Sequence, residues 1–188
     1  MRKQLGMTLI EMIIAIVLMG IAMVAFTSFL VPQIRDSAMP HYQMRAAALG
    51  QGFMSQILAR GFDENSDFDG GTVRCGENST SCTLPANLGP DSGESIPENF
   101  DDVDDYIGCW STPTTVAQCQ ETSRGNISDI LGASSEDEYR NFRVEVSVAY
   151  DDLSASPPTG ITNYKKVTVR IFASNAQPLT LTAIRGNY

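Results

Sequence analysis

The stretch that decides the fold is residues 1–31, MRKQLGMTLIEMIIAIVLMGIAMVAFTSFLV. A short basic segment carrying Arg2 and Lys3 ends in Gly6, and everything from Met7 to Val31 is apolar or small except Glu11. At 1.5 Å per residue this run makes a helix about 37 Å long, enough to cross a hydrocarbon core of about 30 Å with some tilt. A carboxylate inside such a run costs about 2.5 kcal/mol or more near the bilayer centre. A secretory signal has a shorter apolar region with a small-residue cleavage site behind it, and this run is too long and carries Glu11. A plain single-pass anchor accounts for the length and leaves Glu11 unexplained. An acid placed here calls for a partner.

Gly6-Met7-Thr8-Leu9-Ile10-Glu11 resembles the processing site of type IV prepilins. The resemblance implies cleavage by a prepilin peptidase between Gly6 and Met7, methylation of the new amine on Met7, and pairing of Glu11 with the terminal amine of a neighbouring subunit during assembly. Met7 departs from the phenylalanine most often found at that position. The implied partners are other pilin subunits, the peptidase, and the inner-membrane assembly machinery.

The chain of 188 residues has room for one soluble domain after the anchor. Its formal net charge is −9, and losing Arg2 and Lys3 would make it two units more negative. That disfavours nucleic acid, whose phosphates need clustered Lys and Arg. Arg2 and Lys3 keep the N-terminus cytoplasmic, so the C-terminal part is expected outside the cytoplasm. Four cysteines in an oxidising compartment, Cys75, Cys82, Cys109 and Cys119, read as two disulfides. Three connectivities are possible. The local one, Cys75 with Cys82 and Cys109 with Cys119, closes the shortest loops and is preferred. Neither spacing suits zinc.

Past Pro32, residues 32–60 continue as an amphipathic helix in which Ala46, Leu49, Phe53 and Ile57 recur at helical spacing, flanked by Met54 and Leu58. Arg45, Gln51, Gln56 and Arg60 mark the wetter side, and Gly61 is a plausible stop. Pro32 and Pro40 each remove an intrahelical hydrogen bond, so a kink or a melted turn is expected near them. His41 has no nucleophile beside it and reads as solvated.

Residues 61–140, rich in Gly, Ser, Pro, Asn and Asp, read as loops stapled by the disulfides. Asp63, Asn65, Asp67 and Asp69 alternate like calcium ligands. An EF-hand needs Gly at its sixth position and Glu at its twelfth, and Phe68 and Arg74 stand there instead. The stretch reads as a solvated acidic loop. The alternative is a different oxygen cage for calcium, joined by Asp101, Asp102, Asp104 or Asp105. No cofactor motif is present. Asn78 and Asn126 begin sequons that read as chance matches. Around FDDVDDYIGCW, Phe100, Val103 and Tyr106 are expected to be buried with the aspartates facing water, and Trp110 is expected to pack on the disulfide beside it.

In residues 141–188, Phe142, Val144, Val146, Val148 and Tyr150 alternate with polar residues. So do Val167, Val169, Ile171 and Ala173, and then Leu179, Leu181 and Ala183. Three such strands form an antiparallel meander with one apolar face, which the amphipathic half of the helix covers. The expected class is α+β and pilin-like: a long N-terminal transmembrane and amphipathic helix (7–31 and 32–60, after a leader 1–6) packed on an antiparallel sheet of three or more strands. Asn99–Tyr106 and the later YRNFRVEVSVAYD are similar to minor prepilins of the mannose-sensitive haemagglutinin pilus. That resemblance implies a structural subunit supporting surface attachment. A pseudopilin of a type II secretion system or a membrane-anchored binding domain remain open. No nucleophile motif, phosphate loop or His-carboxylate metal set is present, so an enzyme is not expected.

Overall fold

The computed structural model describes residues 8–67, 73–133, 135–154 and 158–188, with the backbone alone for 34–38. One helix, α1 (Leu9–Leu58), opens the chain. The chain divides into two compact units, Met1–His41 and Tyr42–Tyr188.

In the first unit the described residues are all helical after Thr8, and every large apolar side chain among them up to Val31 is exposed. Leu9–Gln33 has a mean hydropathy of 2.7, and it is the one helix among the described residues long and apolar enough to cross a membrane. The hydroxyls it carries are turned back onto its own backbone: Thr27 Oγ1 donates to Met23 O at 2.9 Å, and Ser28 Oγ to Ala25 O at 2.9 Å. Polar groups satisfied within the helix are what a hydrocarbon environment demands. The melted turn expected at the prolines does not occur; α1 is assigned as helix through both Pro32 and Pro40. A proline removes one hydrogen bond, and the bonds of the neighbouring turns hold the segment.

The second unit is built on a five-stranded sheet in the order β2-β1-β3-β4-β5. β3 (Phe142–Asp151), β4 (Tyr164–Ala173) and β5 (Leu179–Gly186) form an antiparallel meander, in register from Phe142 opposite Ala173 to Asp151 opposite Tyr164, and from Tyr164 opposite Gly186 to Ile171 opposite Leu179. Two further strands lie inside the stretch read as loops. β1 (Gly108–Ser111) runs antiparallel to β3, with Trp110 opposite Val144, and β2 (Ser123–Asn126) runs parallel to β1 at the edge. Two short helices follow, α2 (Ile127–Leu131) and α3 (Ser135–Glu138).

Within this unit the C-terminal turns of α1 bury Ala46, Leu49, Phe53 and Ile57 in one core with Val144, Val146, Val167, Val169 and Ile171. Each large side chain so buried contributes about 1.5–3 kcal/mol. Gly50 sits close against the sheet in this packing. A Cβ there would stand 2.7 Å from both Ile171 Cδ1 and Leu181 Cδ1. Trp110, expected to pack on the disulfide beside it, is a member of the aromatic core. It is buried among Phe53, Phe100 and Tyr106, with ring centroids 6.0–6.2 Å away, and its indole N–H donates to Tyr106 O at 3.0 Å.

Candidate functional site

Two places concentrate polar chemistry, one in each unit. The first is the start of α1. Thr8 Oγ1 accepts from Glu11 N at 3.4 Å, while the Glu11 carboxylate accepts from Thr8 N at 3.0 Å and from Thr8 Oγ1 at 3.1 Å. This is a reciprocal capping box, Thr-x-x-Glu, in which two backbone donors with no helical partner are satisfied by side chains. The negative charge also sits at the positive end of the helix dipole. Sequence reasoning missed Thr8, although its three-residue offset from Glu11 was the signal. Below this cap the helix offers an unbroken exposed apolar surface, including Ile10, Ile13, Ile14, Val17 and Leu18. Gly6 and Met7 lie outside the described residues.

The second place lies where the chain leaves α1. Here the aspartates expected to face water are buried: Asp63, Asp102, Asp104 and Asp105 are all at most 3% exposed. They are buried because they organise backbone. Asp102 accepts from Glu64 N at 2.8 Å and from Asp104 N at 2.7 Å. Asp105 Oδ2 accepts from Asp101 N and Asp102 N, and Asp104 Oδ2 from Gly89 N. Asp63 accepts from Asn65 N and Thr83 N. Turns carry backbone N–H groups that no strand or helix satisfies, and a carboxylate can take several at once.

Lys165 completes the arrangement. It is fully buried, with Nζ 3.1 Å from Asp63 Oδ2 and 2.5 Å from Asp104 Oδ1. The rings of Phe62 and Tyr150 stand 4.9 and 5.5 Å from Nζ. The Tyr150 hydroxyl donates to Thr83 O at 2.6 Å and reaches Asp63 Oδ2 at 3.4 Å. Burial pushes the Asp63 carboxyl up, but Lys165 and the Thr83 N–H outweigh it and hold Asp63 below the usual carboxylate range. Burial likewise pushes the Lys165 amine down, and Asp104 and Asp102 more than reverse it. Tyr150 is pushed up by burial and by the Asp63 charge. Sequence reasoning passed over Lys165, yet it shares the parity of Val167, Val169 and Ile171, which points it inward.

Beside this centre, Glu64, Glu94 and Asp101 each offer an oxygen within 4.8 Å of the others and could hold a cation. Burial and the Glu64 carboxyl push Asp101 up to about 7, and burial and Glu94 push Asp105 to about 7 against two backbone N–H donors. Burial and the Asp104 charge push Asp102 up to about 9, opposed by Lys165. Of the four residues weighed as calcium ligands, the Asp63 carboxylate is turned to Lys165, Asn65 and Asp67 are exposed, and Asp69 lies outside the described residues. Cys75 is bonded to Cys82 and Cys109 to Cys119, and neither pair is available to a metal. His41 is exposed.

Residues 1–27 match the family model of the prokaryotic N-terminal methylation motif. No curated protein and no solved structure matches the chain. The motif supports a type IV pilin-like or pseudopilin prepilin, a structural kind of protein that a prepilin peptidase processes and that assembles with other pilin subunits. The single apolar N-terminal helix is consistent with membrane anchoring.

Proposed function

We propose that the chain is a minor pilin subunit that is cut between Gly6 and Met7, methylated on Met7, and incorporated into, or used to prime, a type IV pilus of the mannose-sensitive haemagglutinin type, supporting surface attachment. The pilus type, and a place like that of its minor prepilin D, rest on the likeness of Asn99–Tyr106 and of Tyr139–Asp151 to that family. The mature helix lies in the inner membrane with the second unit on the periplasmic side, and then passes into an extracellular filament. The observation that carries the reading is Glu11: one acid, three residues past Thr8, at the head of a helix whose apolar side chains up to Val31 are all exposed. In a subunit standing alone, Thr8 satisfies that carboxylate. In a filament, the methylated amine of a neighbour supplies a full opposite charge in a dry bundle, where a charge-assisted contact is worth more and a missing one costs more.

Intact mass of the protein from membranes tests processing: the expected chain lacks residues 1–6 and gains one methyl group. Glu11→Ala is expected to insert into the membrane and be processed but to be absent from sheared filaments; normal incorporation would sink the assembly role. The same motif fits a pseudopilin. Deletion separates the two, because loss of surface fibres with intact protein secretion is the expected result.

A further inference from the structure

We propose that Lys165 and Asp104 become joined by an intramolecular isopeptide bond, with Asp63 as the proton carrier. The three side chains meet from three separate elements of the second unit: Lys165 near the start of β4, Asp104 in the 3-10 turn Asp104–Tyr106, and Asp63 in the turn after α1. Side-chain exposure is 0% for Lys165, 0% for Asp63 and 2% for Asp104. Phe62 and Tyr150 wall the nitrogen, and no solvent reaches the reacting atoms.

An ion pair alone is a poor resting state here. An ammonium and a carboxylate held out of solvent each carry a desolvation cost that their pairing only partly repays. Condensation removes one positive and one negative charge from the interior and expels a water molecule. Amine and acyl group are held in contact, so the step carries none of the orientational cost it has in solution.

The atoms are placed for it. The site holds Lys165 charged and Asp63 ionised at rest, so the step runs through a minor population in which Nζ has passed a proton to Asp63 Oδ2, 3.1 Å away, and the free amine attacks Asp104 Cγ from its contact with Oδ1. The Gly89 N–H, 3.1 Å from Asp104 Oδ2, donates to the oxygen on which negative charge develops. The Nζ–Cγ bond forms and the Cγ–Oδ1 bond breaks. Both protons shed by the ammonium end on Oδ1, which leaves as water, and Asp63 returns to its starting state. In the product the amide N–H faces Asp63 Oδ2 and the amide oxygen keeps Gly89. Asp63 keeps its donors Thr83 and Asn65, so it is suited to remain after the ammonium has gone. No oxidant, metal or second protein is needed. The bond would tie the sheet to residues 61 positions earlier in the chain, closing a long loop in the unfolded ensemble and fixing the segment that leaves α1 to β4.

The test is mass spectrometry of the full-length protein purified from membranes, with disulfides reduced and alkylated. The expected mass falls short of the processed sequence by one water molecule, and proteolysis yields a branched peptide joining the segments that carry Asp104 and Lys165. Asp63→Asn, checked for folding by the emission of buried Trp110, is expected to give the unshortened mass. A wild-type chain of full mass whose Lys165 is found in a linear peptide overturns the proposal, and so does a branch mapped to Asp63. The wild-type measurement stands whether or not the variant folds.

Discussion

Raising the pH from 5 to 7 should destabilise the second unit. Asp105 is 2% exposed, and its carboxyl is pushed up to about 7 by burial and by Glu94 from the usual value of 3.8. An acid whose pKa is raised on folding binds more protons in the native than in the unfolded state between those two values. By linkage, stability then falls as pH rises through that window and levels off above about pH 7. Asp101, also raised to about 7, and Asp102, raised to about 9, act in the same direction. Asp63, lowered, contributes stability that is already complete above its unfolded value, and Lys165, raised, contributes stability that is lost only at alkaline pH, so neither opposes the trend. Counting one extra native proton for the whole coupled cluster gives about 1.4 kcal/mol per pH unit, or about 3 kcal/mol from pH 5 to 7. That is a large part of a total stability of about 5–15 kcal/mol. The assay is urea unfolding of the full chain in detergent at half-unit pH steps, read by Trp110, the single tryptophan. Glu94→Gln removes a like charge that acts on both Asp101 and Asp105 and should flatten the profile. A midpoint constant or rising between pH 5 and 7 would refute the reasoning.

Two further outcomes follow from the packing and the cap. Gly50→Leu gains about 1 kcal/mol of helix propensity but drives a side chain into Ile171 and Leu181, and overpacking typically costs 1–3 kcal/mol, so a net loss of about 1 kcal/mol is expected in the same urea assay. A stabilised variant would show that α1 does not approach β4 and β5 as described. Thr8→Val removes the hydroxyl that caps the Glu11 amide and should weaken the first turn by about 1 kcal/mol, seen as roughly fivefold faster amide exchange at Glu11 in micelles. Equal exchange in both proteins would mean that the cap carries no weight.

What was legible in the sequence was what a period reports. Ala46, Leu49, Phe53 and Ile57 at helical spacing, and the alternation in β3, β4 and β5, name their buried faces without knowledge of any partner. β1 and β2 were not legible. Four residues each, Gly-Cys-Trp-Ser and Ser-Arg-Gly-Asn, are too short to show a period, and they are strands because β3 offers an edge more than thirty positions away for β1 to pair with. The buried aspartates failed for a related reason. An aspartate-rich run looks solvated until the backbone N–H groups it serves are known, and those belong to turns whose existence depends on the aspartates themselves.

The two polar centres obey one rule with opposite consequences. In each, a carboxylate is occupied by donors from its own chain. At Glu11 those donors are Thr8 alone, across a single exposed turn, so an arriving ammonium can displace them at little cost. At Asp63 the donors are Thr83, Asn65, Tyr150 and Lys165, drawn from four positions spread over about a hundred residues, so losing one leaves the others in place. The first is built to exchange its partner and the second to keep it. On the proposed function, that difference suits a helix that trades membrane for a neighbour while the second unit stays closed, and it separates the two centres on acidification. Unfolding in urea should need more denaturant as Asp101 and Asp105 take up protons, while Glu11, outside that network, leaves the second unit's stability unchanged when replaced by alanine. A Glu11→Ala chain whose Trp110 unfolding midpoint moved with the substitution would show the two centres to be coupled.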